Sequence, residues 1–217
     1  RGMKRSVKEL EGIHQGEDIW VLGCASSMKY MSASFFEGRT VIGVNRIYEI
    51  FPCQYVVGKD LIRRDLHHNH KLVLSARRCG AGKGQQIENG LDFDQDWYCF
   101  EHFPNQHIGI DWDALDQSDK LIVSYSTITS AMHLACRMGA AAVFMCGIDS
   151  GFLDGELRYT EQPNGYDSFL KDSLPTNLRV RDVLREHYGT AFHLVSPFLG
   201  FDLEGHKFEP LLPRTEK

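Results

Sequence analysis

The stretch "DIWVLGCASSMKY", residues 18–30, decides the fold class of this chain. It opens with a continuous apolar run and then passes through Gly23, Cys24 and Ala25 into a segment with helix-like spacing. A continuous apolar run is typical of a strand that is buried on both faces of a parallel sheet. Small residues after such a run predict a tight turn from the strand into a helix, so the stretch indicates the first unit of an α/β fold.

Six further apolar runs repeat this pattern along the chain. They are "TVIGVN" (40–45), "CQYVVG" (53–58), "KLVLSA" (71–76), "KLIVSY" (120–125), "AAVFMCG" (141–147) and "AFHLVS" (191–196). Segments with helical spacing cover 128–140 and 177–189, and each ends at a glycine, Gly139 and Gly189, as helix C-termini favour. Strands that alternate with helices predict a single Rossmann-like, doubly wound α/β domain with a mainly parallel sheet.

The length of 217 residues suits one α/β domain. We expect a nucleotide-binding domain over 17–200, preceded by an N-terminal extension (1–16) and followed by a C-terminal tail (201–217). The stretch 77–118 is glycine-rich and polar at first and then mixes aromatic with acidic residues. It fits the strand–helix rhythm least well, and we predict that it is an irregular insertion or lid that leaves the sheet.

Composition and charge exclude several classes of function. Hydrophobic residues make up 42% of the chain, which is enough for a sizeable core. The net charge of −5 disfavours general nucleic-acid binding, and no apolar run approaches the length of a membrane span. The six cysteines form no C-x-x-C pair, and the chain opens without a signal-peptide pattern. We therefore expect reduced thiols, no zinc site and a cytoplasmic location.

The turn after the first run is a candidate phosphate site. In a doubly wound sheet, ligands bind beyond the carboxyl ends of the strands, where small residues let the backbone approach a phosphate. Ser26 or Ser27 could bond a phosphate oxygen or simply cap the following helix. From this stretch alone a plain serine-capped turn is the simpler interpretation, because the G-x-G-x-x-G fingerprint is absent.

Polar residues also end the second and third runs. Asn45 carries an amide that can donate to and accept from a base or a ribose, or can cap the next helix. Asp60 can bind a metal or a hydroxyl, or can cap a helix. The sequence alone does not decide between these roles.

A hydroxyl-rich segment follows the run at 120–125. It forms a second candidate site for an anion or a ribose, although one of its residues must cap the helix: Ser124, Ser126, Thr127, Thr129 and Ser130. The next run ends in Gly147-Ile148-Asp149 and leads to a hairpin predicted at Asp154-Gly155. Its return strand would bring Tyr159 back over the pocket.

Four stretches together resemble one family pattern. These are "VLGCASSM", "VNRIY", "TITSAMHLACRMGAAAVFMCGIDSGFLDGELRYT" and "FHLVSP". In order and spacing, roughly over residues 17 to 200, they resemble the bacterial sialyltransferases that make lipooligosaccharide caps. They also resemble the related motility accessory factors and archaeal hydroxymethylpterin diphosphokinases. The stretch 77–118 has no counterpart in this pattern.

The resemblance implies a nucleotide-activated donor that lies across the carboxyl edge of the sheet. Gly23, Ala25 and Ser27 would face its phosphate, Asn45 its base or sugar, Thr129 and Ser130 the ribose, Gly147 and Asp149 the nucleotide, and Tyr159 the leaving phosphate. The turn departs from the family pattern, since Cys24-Ala25-Ser26 stands where the family favours Asn-Gly-Pro. The family's base histidine has no match either, and Asp172 is the carboxylate that lies in that region.

The sequence therefore predicts a nucleotide-dependent transferase. The leading hypothesis is a sialyltransferase-like glycosyltransferase with a CMP-type nucleotide-sugar donor and a small-molecule or glycan acceptor. One alternative is a diphosphokinase-like phosphotransferase that uses a nucleoside triphosphate and Mg²⁺, with Asp60 and Asp149 on the metal side. Another is a catalytically silent protein that binds a nucleotide or a sugar. A homo-oligomer is left open.

Overall fold

The computed structural model describes residues 2–59, 69–78, 87–88, 94–103, 109–124, 126–148 and 170–195. Its strands are β1 (Lys4–Ser6), β2 (Asp18–Leu22), β3 (Thr40–Val44), β4 (Tyr55–Gly58), β5 (Lys71–Ser75), β6 (Arg77–Arg78), β7 (Ile87–Glu88), β8 (Trp97–Phe103), β9 (Lys120–Ile122), β10 (Ala142–Cys146) and β11 (Ala191–Leu194). Its α-helices are α1 (Trp112–Asp116), α2 (Ile128–Arg137) and α3 (Leu170–Tyr188). Short 3-10 helices cover Val7–Leu10, Ser26–Tyr30, Ala33–Phe36 and Ile47–Glu49.

Nine of the described strands form one sheet in which every pairing is parallel. Its order is β1-β8-β5-β4-β3-β2-β10-β11, and β9 pairs with the last residues of β8. Strands β6 and β7 form a separate antiparallel pair. The predicted α/β, Rossmann-like class with a mainly parallel sheet is confirmed.

The strand order places a topological switch point between β2 and β10, two strands from one side of the sheet. From β2 the chain moves outward through β3, β4 and β5 to β8, and it then returns to place β10 on the opposite side of β2. Because parallel strands all end at the same edge, the loops after these strands meet there. Ligands of open α/β sheets bind at this carboxyl edge.

Different elements pack on the two faces of the sheet. Helices α2 and α3 pack on the face that holds Ile19, Val21 and Val143, which we call the helix face. The 3-10 helices after β2 and β3 cover the face that holds Trp20 and Leu22. Side chains alternate between the two faces along each strand, so the position of a residue in its strand assigns its face.

Glycines end both long helices, as the sequence predicts. Gly139 has a φ of +91° just beyond α2, and Gly189 has a φ of +70° just beyond α3. A side chain is strained in this left-handed conformation, whereas glycine adopts it freely. Both helices therefore end where the sequence predicts. The beginning of α3 differs from the prediction: the helix starts at Leu170, seven residues before the predicted start at 177, and runs through Pro175.

Two predicted boundaries are corrected by the sheet. Within the predicted extension 1–16, β1 pairs with β8, and the side chains of Val7 and Leu10 are buried in the helix-face core. Within the predicted insertion 77–118, β8 lies between β1 and β5 as a full member of the sheet. β1 consists of three polar residues, KRS, and β8, WYCFEHF, is interrupted by Glu101 and His102, so neither has the continuous apolar run that identifies the other strands.

In the part of the chain that the structure describes, none of the helices has the length and apolar composition needed to cross a membrane.

Candidate functional site

Three polar side chains lie side by side at the carboxyl edge, on the helix face of the sheet. Lys59 follows the last residue of β4, Ser75 ends β5, and His102 is the penultimate residue of β8. The residues two positions before them, Val57, Val73 and Phe100, belong to the helix-face core. Because side chains two apart share a face, the three polar groups point to that same side. We call Lys59, Ser75 and His102 the edge cluster.

Register brings the members of the edge cluster together. Gly58 pairs with Leu74, which places Lys59 beside Ser75, and Ser75 pairs with Phe100, two residues before His102. The Ser75 hydroxyl Oγ and the His102 ring nitrogen Nε2 are 2.7 Å apart, a hydrogen bond between neighbouring strands. Ser75 has no exposed surface, whereas His102 is half-buried.

Lys59 connects the edge cluster to the beginning of α2. Its side chain is buried, with 7% exposed, and its Nζ donates a hydrogen bond of 2.9 Å to the carbonyl oxygen of Ser124. From there the chain turns into the helix: Ser124 Oγ accepts from the Ser126 N–H, and Ser126 Oγ accepts from the Ile128 N–H. The Lys59 ammonium therefore lies beside the segment that leads into α2.

Asn45 adds a strained residue to the same edge. Its φ of +55° makes it the only non-glycine residue with positive φ in the described ranges. Its N–H donates to the carbonyl oxygen of Val57 at 3.0 Å, so it lies beside the end of β4, next to Lys59. Asparagine tolerates the left-handed conformation better than most residues, and such strain is concentrated at functional sites.

Gly23 and Gly147, both predicted to make room for a nucleotide, instead make room for each other. A Cβ on Gly23 would lie 2.3 Å from the carbonyl oxygen of Gly147. Gly147 has a φ of +68°, and a Cβ there would lie 2.5 Å from Cγ of Met28. The Ala25 N–H donates to the Gly147 carbonyl oxygen at 3.1 Å, and this bond closes the gap between β2 and β10. Packing within the chain therefore explains both glycines without a ligand.

The serines of the first turn are also internal. Ala25 holds the cap position of the 3-10 helix Ser26–Tyr30, so neither Ser26 nor Ser27 caps it as predicted. The exposed fraction of Ser26 is 0% and that of Ser27 is 2%. In this structure, the turn after β2 is a packed connection beneath Met28 and not an open loop.

The hydroxyls predicted to face a ribose hold α2 against the chain before it. Thr129 Oγ1 donates to the Ser126 carbonyl oxygen at 2.9 Å and accepts from the Ser124 N–H. Ser130 Oγ donates to the carbonyl oxygen of Ile122, the last residue of β9, at 3.1 Å. Neither residue has exposed surface, so this prediction is corrected: both hydroxyls belong to the interior.

Four other predicted residues cannot be placed at atomic detail. Asp60, Asp149 and Tyr159 lie outside the described residues, as does the predicted hairpin at Asp154-Gly155. Asp172 lies in the first turn of α3, and its side chain is outside the described part. Within the described ranges, no group of three or more His, Cys, Asp or Glu residues could hold a metal ion.

The sequence analysis missed the edge cluster. Lys59 directly follows a predicted strand and Ser75 lies inside another, so both could have been recognised as edge residues. His102 gave no such signal, because its strand lies in the stretch 77–118 that was set apart from the sheet. Only the register of β5 and β8 brings it to Ser75.

Comparisons of the chain with protein-family models, with curated proteins and with solved structures each find no significant match. Fold and site together define a class: an α/β protein with a parallel sheet whose carboxyl edge carries a lysine, a serine–histidine pair and a strained asparagine.

Proposed function

We propose that this protein is a nucleotide-dependent transferase, a glycosyltransferase that binds a CMP-type nucleotide sugar at the carboxyl edge of its sheet. The observation that carries the proposal is the 2.9 Å hydrogen bond from the Lys59 ammonium to the carbonyl oxygen of Ser124, at the start of α2. This contact holds a nearly buried ammonium group beside the segment that leads into α2.

The Lys59 ammonium and the backbone N–H groups before α2 together form a donor set that suits an anion. The Thr127 N–H adds a donor at this point, because none of the described residues accepts a hydrogen bond from it. A phosphate group is the anion that backbone N–H groups and a lysine together bind well.

Asn45 supports the nucleotide part of the proposal. It lies beside the end of β4, so its amide is within the same region of the edge as Lys59. Among the described residues, no hydrogen bond uses the Asn45 side chain. An amide can donate to and accept from a base edge or a sugar hydroxyl. The choice of a CMP-type donor rests on the sequence resemblance over 17–200.

Thermal denaturation of the full chain with CMP, CDP and CTP, each with and without Mg²⁺, tests the proposal. A ligand that binds only the native state raises the melting temperature. We expect CMP to stabilise the wild type without Mg²⁺ and to have little effect on Lys59→Met. The matched control is Lys120→Met, because Lys120 is an exposed lysine at the amino end of β9. Its response to CMP should equal that of the wild type.

The same panel, together with an assay of CMP release from a CMP-sugar, separates the alternatives. Stabilisation by CTP that requires Mg²⁺ would replace the glycosyltransferase with the diphosphokinase-like phosphotransferase. Stabilisation by CMP without any release of CMP from a CMP-sugar would indicate a binding protein. If no nucleotide stabilises the wild type, the nucleotide site itself is wrong.

A further inference from the structure

One polar atom of α3 is buried without a hydrogen-bond partner. Only 6% of Asn177 is exposed, and no described residue donates a hydrogen bond to its side-chain oxygen Oδ1. A buried polar atom that lacks a partner costs free energy, so such atoms are rare in folded proteins. The packing of the described chain therefore does not explain why an asparagine is buried here.

The position of Asn177 on α3 places it on the inner side of the helix. Val180 and Leu184 lie three and seven residues further along, and both belong to the helix-face core. Residues at this spacing share one side of a helix. Tyr188 continues the same side and contacts His133 of α2. Asn177 thus belongs to the side of α3 that packs on α2, toward the beginning of the helix.

The topology places Asn177 at the carboxyl edge of the sheet. Helix α2 leads from β9 to β10, and α3 ends just before β11, so both helices run toward the amino edge of the parallel sheet. Their later turns meet where His133 contacts Tyr188. Asn177 precedes Tyr188 by three helical turns, about 16 Å, whereas α2 begins less than two turns before His133. Asn177 is therefore level with the segment that leads into α2.

The same segment carries the donor set of the proposed site. Ser124 lies in it and accepts the hydrogen bond from the Lys59 ammonium, and Thr127 is its last residue before the helix. The lysine and the backbone N–H groups are donors, whereas the buried oxygen of Asn177 is an acceptor. A ligand that fits both must join an anionic group to a group that carries an O–H or N–H. A nucleotide sugar has this composition, because its phosphate accepts hydrogen bonds and its base and sugars donate them.

We propose that Asn177 is a specificity-determining residue of the transferase site, whose Oδ1 accepts a hydrogen bond from an O–H or N–H group of the bound nucleotide sugar. This inference rests on the proposed function, because it takes the phosphate of the same ligand to lie at Lys59. The ligand supplies the partner that the described fold does not. A ligand without a donor at this position leaves the oxygen unpartnered in the complex, and it is disfavoured for that reason.

Calorimetry of the full chain with two ligands tests the assignment. One ligand is CMP, and the other is the inert donor analogue CMP-3-fluoro-N-acetylneuraminate. Asn177→Leu keeps the approximate shape of the side chain but has no acceptor, and we expect it to lower the affinity for the analogue by about 10-fold, as for the loss of one hydrogen bond. An equal loss for CMP places the donor group on the nucleotide, and an unchanged CMP affinity places it on the sugar.

The stability of the same variant gives an independent readout. Without ligand, Asn177→Leu replaces an unpartnered oxygen by an apolar group, so its melting temperature should rise by about 2–4 °C. Thr190→Val is the matched control, because Thr190 is a buried residue whose hydroxyl donates to the Ala140 carbonyl oxygen at 3.0 Å. Its melting temperature should fall and its affinities should not change. A fall as large in Asn177→Leu would show that the oxygen has a partner within the fold, and it would overturn the assignment.

A second variant, Asn177→Ala, removes the acceptor without adding bulk and should lose the same affinity as Asn177→Leu. If both variants bind the analogue as tightly as the wild type, Asn177 does not contact the ligand: the assignment is wrong and the nucleotide site stands. If the wild type binds neither CMP nor the analogue, the proposed function fails and the assignment fails with it.

Discussion

The imidazole Nε2 of His133 lies 3.0 Å from the hydroxyl oxygen of Tyr188, deep between α2 and α3. The other ring nitrogen, Nδ1, accepts a hydrogen bond from the Ile122 N–H at 3.0 Å. Since Nδ1 is the acceptor, Nε2 carries the proton and donates to Tyr188, whose hydroxyl in turn donates to Asp116. His133 itself has no exposed surface, and these hydrogen bonds require its neutral form.

Stability should therefore fall with pH below the ordinary histidine range. Burial, with smaller contributions from Arg137 and His187, lowers the pKa of His133 from 6.5 to about 3. The unfolded chain takes up this proton below its pKa of 6.5 and the native chain does not, so the stabilisation is complete above that pH. As the pH falls from 6.5 toward 3, protonation of this histidine in the unfolded chain should lower the free energy of unfolding by about 1.4 kcal/mol per pH unit.

Urea denaturation at several pH values between 6.5 and about 5 checks this dependence, because carboxylates titrate mostly below that window. The variant His133→Gln has no titrating ring and should show a shallower slope than the wild type, whatever its own stability. An equal slope in both proteins would show that another group is responsible.

The contact between Gly147 and Met28 predicts an unusually costly substitution. Gly147→Ala would combine a strained φ of +68° with a Cβ that lies 2.5 Å from the Met28 side chain. Gly38→Ala is the matched control, because Gly38 has a φ of +73° and a Cβ added there would meet no atom within 4 Å. We expect Gly38→Ala to cost about 1 kcal/mol, from the backbone alone.

Overpacking should add about 1–3 kcal/mol to that cost in Gly147→Ala, as measured by chemical denaturation. If the two variants were equally stable, the packing of Met28 on Gly147 would not be as described.

Asn45 allows strain and ligand binding to be separated. Asn45→Gly removes the amide but keeps a residue that adopts a positive φ freely, so stability should be unchanged or higher. Asn45→Ala removes the amide and keeps the strain, so we expect a loss of about 1 kcal/mol. Both variants should lose most of the stabilisation by CMP in thermal denaturation. A normal CMP response in Asn45→Gly would exclude the side chain from the nucleotide site.

The first sixteen residues should behave as part of the fold. Leu10 is 2% exposed in the helix-face core, and we expect Leu10→Ala to cost about 2–4 kcal/mol of unfolding free energy. Met3→Ala is the control, because Met3 is 60% exposed and its truncation should have little effect. If Leu10→Ala left the free energy of unfolding in urea nearly unchanged, residues 1–16 would be an extension outside the fold.

By itself the sequence determined those features whose signals are local. Continuous apolar runs identified β2, β3, β4, β5, β9, β10 and β11, because burial on both faces of a parallel sheet demands such runs. Gly139 and Gly189 marked the ends of two helices, because a left-handed backbone strains any side chain. Asn45 was likewise recognised as an edge residue, and its strained backbone is consistent with that position.

Tertiary structure alone decided which polar groups face one another. The hydroxyls of Thr129 and Ser130 fit a ligand site and a buried helix start equally well in sequence, and only the packing of α2 against β9 shows that they are internal. Ser75 and His102 are 27 positions apart and meet only through strand register. Hydrogen bonds between strands set that register, and no local pattern contains it, because each strand's partner lies far away along the chain.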